Sequence, residues 1–195
     1  MKRLFDIVFS LAGIIILSPL LLLIALIVGL SSKGGVFFLQ SRVGKNNSDF
    51  KLFKFRTMQV NADKKGLLTV GGRDPRITGA GIYLRKYKFD ELPQLLNVLA
   101  GTMSFVGPRP EVRKYVDLYN EEQKQVLKIK PGITDYASLE YFSENDLLAK
   151  SADPEQTYIN EIMPAKLALN NKYIIDQSLL VDFKIIVRTL LKIVS

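Results

Sequence analysis

From Ile7 to Ser32 the chain reads Ile7-Val8-Phe9-Ser10-Leu11-Ala12-Gly13-Ile14-Ile15-Ile16-Leu17-Ser18-Pro19-Leu20-Leu21-Leu22-Leu23-Ile24-Ala25-Leu26-Ile27-Val28-Gly29-Leu30-Ser31-Ser32, without one ionisable side chain. Nineteen of these 26 residues are apolar. A cleaved signal peptide would have a shorter apolar core and a small-x-small end. Only Gly29-Leu30-Ser31 resembles that end. A spanning helix needs about 20 residues to cross a core of about 30 Å, so length alone permits one. Ser18-Pro19 near the middle argues for a third form. Pro19 has no N–H, so the Ile15 carbonyl loses its helical partner and the helix kinks or breaks. The Ser18 hydroxyl can bond back to such a carbonyl, which makes the break tolerable in lipid. Two arms of about 12 residues would each be roughly 18 Å long, and neither would span. Lys2 and Arg3 precede the run, and Lys33, Arg42 and Lys45 follow it. Cations on both flanks place both ends in the cytoplasm. The expectation is a re-entrant helix–break–helix over residues 1–33, turning at Ser18 and Pro19, with a kinked spanning helix as the alternative. Either form makes the lipid bilayer a partner.

The rest of the chain has an ordinary globular composition. Its length of 195 residues suits one compact domain, here 34–195, beside the membrane segment. Lys and Arg number 27 against 19 Asp and Glu, a net charge of +8, so the partners sought are polyanions: nucleic acid, anionic lipid or phosphorylated small molecules. There is no Cys and no His. Disulfides, thiolate or imidazole metal sites, Ser–His and Cys–His nucleophiles and histidine acid–base chemistry are therefore excluded. Chemistry must run on carboxylates, hydroxyls, Lys and Arg, and any metal must be a hard one held by oxygens.

Val36 to Gln40 and Phe50 to Arg56 are rich in strand formers, with the turn cluster Gly44 to Asp49 between them. They predict a β-hairpin presenting Lys51, Lys54 and Arg56 from its second strand. The glycine-rich stretch from Asn61 to Gly81 reads mostly as loop. Asp90 to Leu99 predicts a helix with Asp90 as N-cap, Pro93 in the first turn and Gly101 as stop. Phe105 to Pro110, with prolines at 108 and 110, cannot be helical. Glu111 to Ile129 reads as a mixed-charge helix ended by Lys130-Pro131-Gly132, Ser143 to Pro154 as a polar loop, and Tyr158 to Tyr173 as a helix interrupted at Pro164. Leu179 to Val194 reads as an apolar helix carrying Lys184, Arg188 and Lys192 as one stripe. That pattern suits the headgroup layer; a buried core helix is the plainer alternative. The fold class is thus α+β and membrane-associated: an N-terminal re-entrant helix, a small β-hairpin and several amphipathic or interfacial helices around a catalytic helix.

With His and Cys excluded, adjacent carboxylates are the first place to seek chemistry. Asp90-Glu91 sit at a helix start, preceded by Arg85, Lys86 and Lys88. A carboxylate there faces the positive end of the helix dipole and is expected to stay ionised. The same place favours phosphate. An aspartate so placed can attack phosphorus, with the neighbouring glutamate holding Mg²⁺. The plainer reading is a helix cap and a surface charge. Gly107-Pro108-Arg109-Pro110 frames one Arg rigidly as a bidentate phosphate donor, or else as a solvated turn. Lys54, Arg56, Arg73 and Arg76 add cations for a polyphosphate. No GxGxxG follows a strand, and GxxxxGK[ST] is absent, so dinucleotide and P-loop readings find no support.

Taken in order, Phe53-Lys54-Phe55-Arg56-Thr57-Met58, Asp74-Pro75-Arg76-Ile77-Thr78, Leu84-Arg85, Asp90-Glu91-Leu92-Pro93-Gln94-Leu95-Leu96-Asn97-Val98, Gly101 to Glu111 and Lys130-Pro131-Gly132-Ile133-Thr134 closely resemble the bacterial sugar transferases, the monotopic phosphoglycosyl transferases. The resemblance runs from Lys2-Arg3-x-x-Asp6 to the last helix and is to the small form without extra transmembrane helices. It implies transfer of a sugar 1-phosphate from a UDP-sugar to undecaprenyl phosphate with release of UMP. This would be the first membrane step of exopolysaccharide, capsule, O-antigen or glycoprotein glycan assembly, on the cytoplasmic face of the bacterial inner membrane. By the resemblance Asp90 is a nucleophile forming a phosphosugar-aspartyl intermediate, Glu91 with Asp90 binds Mg²⁺, and Arg85 and Arg109 neutralise phosphate oxygens. Ser18-Pro19 matches the re-entrant break of the family. The implied partners are UDP-sugar, undecaprenyl phosphate and the bilayer, with a homodimer open and no nucleic acid. Two departures bear on the sugar: Asp135-Tyr136-Ala137-Ser138 stands where many members have Gly-Trp-Ala-Gln, and Asn170 where many have Asp. The competing function is a non-enzymatic basic membrane-surface module for anionic lipid or nucleic acid. It leaves the acid pair and the proline-framed Arg without a role, and single-strand binders interleave basic with aromatic residues along a groove.

Overall fold

The N-terminal run is helical from Ile7 to Ser31. In this computed structural model, which describes residues 1–31, 33–62, 66, 68–71 and 74–194, helix α1 covers Lys2–Ser31 and continues through Pro19. The expected break is absent as a gap in the helix, and the reason is local. The Ser18 hydroxyl donates to the Ile15 carbonyl at 2.8 Å, the acceptor that Pro19 orphans. Thirty residues at the helical rise reach about 45 Å, and among the described residues α1 is the one helix long and apolar enough to cross a membrane.

One stripe of α1 packs on the rest of the chain along both arms. Asp6 and Ser10 are buried before the proline, Ile24 and Val28 after it. The opposite face leaves Leu4, Val8, Ile15, Ile16, Leu22 and Leu30 exposed. Ile24 and Val28 share a core with Phe55 and Leu84, so residues 1–33 and 34–195 are packed as one unit there. The first turn is pinned by three polar residues. Lys2 pairs with Asp182 and donates to the Tyr173 hydroxyl at 3.1 Å. Arg3 donates to the Val98 and Leu99 carbonyls at 2.6 and 2.8 Å. Asp6 accepts from the Ser104 hydroxyl at 3.0 Å and the Phe105 amide at 3.2 Å. Lys2 and Arg3, expected as topology-setting flank charges, are thus also committed to internal bonds.

Strands β1 (Phe37–Val43) and β2 (Asp49–Phe55) form the expected antiparallel hairpin, with Phe37 opposite Phe55 and Val43 opposite Asp49. Asn46 and Asn47 turn it with φ of 57° and 59°, a region asparagine tolerates. The cations do not form one stripe. Lys54 and Arg56 share a strand face, whereas Lys51 has the opposite parity and meets Ser41 across the hairpin at 2.6 Å. Helix α2 (Gly79–Lys86) emerges from the glycine-rich stretch, capped by Thr78, whose hydroxyl accepts from the Gly81 amide at 3.0 Å. Helix α3 (Gln94–Ala100) ends at Gly101 with φ 86°, as its sequence predicts.

Strand β3 (Ser104–Val106) pairs in parallel with β4 (Gly132–Thr134), a second sheet that the sequence reading lacks. The single helix expected over Glu111 to Ile129 is instead α4 (Arg113–Val116) and a 3₁₀ stretch at Gln123–Lys128. Asn120 and Gln123 divide it: each side chain accepts from the other's amide, at 2.9 and 3.0 Å, a reciprocal cap that restarts the chain. The stretch from Tyr136 to Ala149 forms α5 (Tyr136–Glu140) and α6 (Glu144–Ala149), so the polar loop expected from Ser143 is partly helix. Next come α7 (Pro154–Thr157), a π turn at Tyr158–Ile162 and α8 (Met163–Asp176). The wider turn ends two residues before Pro164, where an amide donor is missing. Helix α9 (Leu179–Val194) has the expected bounds. It buries Asp182 and Ile185 but leaves Leu180, Phe183, Leu190 and Leu191 exposed, so it is half core and half apolar surface.

Candidate active site

The acid pair lies on the short 3₁₀ turn Phe89–Glu91 between α2 and α3. Lys88 enters that turn in the left-handed region, φ 57°, and redirects the chain out of α2. Nothing in a lysine signals this, and sequence reasoning misses it. Asp90 does not cap α3: no side-chain cap bond is made at this turn, and α3 begins at Gln94 after Pro93. Asp90 is only 5% exposed, and no described residue donates a hydrogen bond to its carboxylate. It opens onto a cavity of about 780 Å³ whose wall also includes Lys54, Arg56, Arg85, Glu91 and Arg109.

Glu91 is held differently. Its Oε1 accepts from Lys54 Nζ at 2.9 Å and from Arg109 Nη2, and its Oε2 from Arg109 Nη1 at 3.3 Å. Two neighbouring carboxylates therefore titrate in opposite directions. Burial raises Asp90 above the ordinary aspartate value, with the Glu91 charge adding to it, although Lys54, Arg85 and Lys88 pull the other way. Asp90 makes no cap bond at a helix start, so burial and the neighbouring charges, not a helix dipole, set its direction. Burial would also raise Glu91, but Arg109 and Lys54 outweigh it and hold Glu91 well below the usual range. Burial lowers Lys54, and Glu91 only partly restores it.

Arg109 stands at the tip of a clasp in which two sequence motifs become one structure. The Gly107 amide donates to the Thr134 carbonyl at 3.1 Å, and the Gly132 amide to the Pro108 carbonyl at 3.0 Å. The backbones touch so closely that a Cβ on Gly132 would stand 2.1 Å from the Gly107 nitrogen, and one on Gly107 2.4 Å from the Lys130 carbonyl oxygen. Only glycine fits at either position. Arg85 reaches the cavity from α2, with its guanidinium on the Thr57 and Thr69 hydroxyls, each at 3.1 Å. Gly81 permits this approach, since a Cβ there would lie 2.2 Å from the Thr57 carbonyl oxygen.

Of the residues singled out in the sequence, Lys54, Arg56, Arg85, Asp90, Glu91 and Arg109 all line the one cavity. Arg76 does not. Its guanidinium pairs with Asp74 at 2.6 Å and donates to the Gly66 and Leu68 carbonyls at 2.6 and 2.5 Å, so it ties down its own loop. Arg73 lies outside the described residues. Ala137 and Ser138 line the cavity, whereas Asn170 is buried in α8 away from it. Sequence reasoning missed the far wall, where Glu111 accepts from Arg42 at 2.8 Å and from the Tyr158 hydroxyl, beside the Lys166–Glu144 pair at 2.5 Å. Glu111 follows the Pro-Arg-Pro frame directly, and that proximity was the available signal.

No cluster of three or more carboxylates forms among the described residues. Asp90 and Glu91 facing an open cavity still suit Mg²⁺, which keeps several waters and takes one or two carboxylates with substrate phosphates. An unpaired buried carboxylate stands beside a paired one, ringed by Lys54, Arg85 and Arg109, an arrangement of charge that suits a phosphorylated ligand.

The comparisons agree with that class. The family model for bacterial sugar transferases matches residues 1–195, and the chain belongs to that family. It is 37% identical over 197 residues to the UDP-N-acetylgalactosamine-undecaprenyl-phosphate N-acetylgalactosaminephosphotransferase of Aeromonas hydrophila, covering all of this chain and 44% of the relative. It is 37% identical over 200 residues to the UDP-glucose:undecaprenyl-phosphate glucose-1-phosphate transferase of Escherichia coli K12, covering 98% of this chain and 40% of the relative. The exopolysaccharide production protein ExoY of Sinorhizobium fredii is 34% identical over 204 residues, covering 97% and 83%. The chain therefore spans less than half the length of the first two relatives.

Proposed function

We propose that this chain is a phosphoglycosyl transferase that moves a sugar 1-phosphate from a UDP-sugar to undecaprenyl phosphate, releasing UMP. The observation that carries this reading is Asp90: nearly buried, without a hydrogen-bond donor among the described residues, and open to a cavity walled by cations. A carboxylate that merely stabilised a fold would be capped or paired, as Asp74 is. In the proposed reaction an Asp90 oxygen attacks the phosphorus that bears the sugar. The bond to the bridging oxygen breaks, and that oxygen leaves with UMP. An oxygen of undecaprenyl phosphate then attacks the same phosphorus, the aspartyl bond breaks, and the Asp90 carboxylate is restored. Arg109 and Arg85 neutralise phosphate oxygens, with Lys54 beside them. Asp90 and Glu91 would hold Mg²⁺, whose chemistry is to offset the charge of the diphosphate. The relatives' names supply the acceptor and the class of donor. UMP release from a panel of UDP-sugars, with undecaprenyl phosphate and Mg²⁺, tests the reading, and silence across the whole panel refutes it.

The basic-surface alternative is not favoured, because it leaves the acid pair without a role and because four of the cations nearest the site are already engaged by carboxylates. Lys54, Arg109, Arg42 and Arg76 are all in ion pairs.

The same reading places α1 in the cytoplasmic leaflet of the inner membrane with both flanks on the cytoplasmic side. Both arms of α1 pack on the domain, so a perpendicular crossing would carry the charged domain into hydrocarbon. A helix bent at Ser18-Pro19 keeps its exposed apolar face in lipid and Asp90 near the level of an acceptor phosphate. Leu4→Cys gives the only thiol in the chain. An impermeant reagent outside intact cells should leave it unlabelled; labelling from outside would sink this topology.

A further inference from the structure

Asp135 is the most deeply buried carboxylate among the described residues, with 0% exposure, and the proposed reaction gives it no task. Burying a carboxylate without compensation costs several kcal/mol, so what its oxygens bond to shows what it is for. Oδ2 accepts from the Arg109 amide at 3.0 Å. Oδ1 accepts from the Ser138 amide at 2.5 Å, capping the first turn of α5. One side chain thus joins the Arg109 backbone to the helix whose Ala137 and Ser138 line the same cavity.

The placement matters because it is the hold on Arg109 itself: its neighbours are fixed through their carbonyls, Pro108 by the Gly132 amide and Pro110 by Arg42 at 3.1 Å. The clasp bonds end at Gly107 and Pro108, and Pro110 has no amide to offer. The Arg109 amide is therefore the last donor before the chain turns away, and Asp135 takes it. The negative charge of Asp135 also acts on the Arg109 guanidinium, adding to that of Glu91. Asp135 does not itself line the cavity.

We infer that Asp135 is a positioning residue for Arg109: its carboxylate fixes the Arg109 backbone against α5, so that the guanidinium stands ready for phosphate before substrate arrives. This rests on the phosphoglycosyl transferase reading, but its geometric part can be tested apart from it.

A carboxylate is required because both contacts are N–H donors. Asparagine can keep one acceptor for Ser138 but then turns its NH₂ toward the Arg109 amide, donor against donor. Asp135→Asn should therefore spare the α5 cap and release Arg109, whereas Asp135→Ala releases both. The experiment measures UMP release by the full chain with undecaprenyl phosphate and Mg²⁺, together with amide hydrogen exchange. Asp135→Asn should lower kcat/KM about 10-fold and speed exchange of the Arg109 amide about 10-fold, with Val98 in the core unchanged. In an Arg109→Ala background the same substitution should cost less than about 2-fold, because the residue it acts through is gone. Full additivity of the two losses would overturn the inference by making Asp135 a general fold residue. So would wild-type exchange at Arg109 in both Asp135 variants. If the wild-type chain released no UMP with any donor, the reaction reading would fall, while the exchange measurement would still decide whether Asp135 holds Arg109.

Discussion

Arg76 and Arg109 look alike in the sequence, each directly following a proline, yet the fold gives them opposite work. Arg76 turns into its own loop, where Asp74 and the Gly66 and Leu68 carbonyls take its donors. Arg109 is carried on a clasp of two parallel strands, and its guanidinium meets Glu91 at the edge of a cavity. The difference lies in what the neighbouring backbone leaves unsatisfied. A glycine-rich loop offers bare carbonyls, and a guanidinium with five donors stitches them together. On the clasp the Thr134 and Pro108 carbonyls already accept from backbone amides, so the Arg109 guanidinium is left for a carboxylate now and a phosphate in the proposed reaction.

The sharpest contrast between cavity and loop comes from Asp90→Asn. It should reduce turnover by more than about 10³-fold with little loss of stability, because a neutral amide is not a nucleophile. With undecaprenyl phosphate withheld, phosphosugar should be trapped on the wild-type enzyme and not on the variant. Near-normal turnover of Asp90→Asn would remove the nucleophile from Asp90.

Arg109→Lys and Arg76→Gln should then separate the two regions. The first replaces a fork by a point charge, and kcat/KM should fall about 10-fold, equivalent to roughly 1.4 kcal/mol in the barrier, with urea midpoint unchanged. The second strips a buried carboxylate and two loop carbonyls of their donor. It should destabilise by about 1–3 kcal/mol while leaving kcat/KM of the folded fraction within a few-fold. If the two variants exchanged these signatures, the comparison would be reversed.

The smallest effect is in the pH dependence. Asp90 is raised from its usual 3.8 and Glu91 is held well below its usual 4.5. A lowered carboxylate contributes stability that is present above its unfolded value and lost as pH falls through its folded value; a raised one binds its proton first in the folded state. The acid limb of kcat/KM should therefore lie above 3.8, since Asp90 loses its charge early. The stability difference between wild type and Glu91→Gln should hold steady from pH 7 to about 4.5 and shrink only below that. An acid limb at or below 3.8 would show that Lys54 and Arg85 dominate Asp90 rather than burial.

The sequence by itself determined the apolar N-terminal segment though not its unbroken helix, the hairpin, the Gly101 stop, the bounds of α9 and the limit of any chemistry to carboxylates, hydroxyls, Lys and Arg. Those features depend on neighbours a few residues away, through hydrophobic period, proline and glycine geometry and the absence of His and Cys. Only the tertiary structure decided that Gly107 and Gly132 form one clasp, that Lys54 and Arg109 converge on Glu91, that Asp90 is buried and raised, and that Asp135 holds Arg109. Each of these joins residues far apart in the chain, and each balances burial against pairing. The sign of such a balance is set by contacts within a few ångströms, which no local pattern records. Arg76 shows the limit most plainly: its charge was legible in the sequence, but the loop carbonyls that claim it were not.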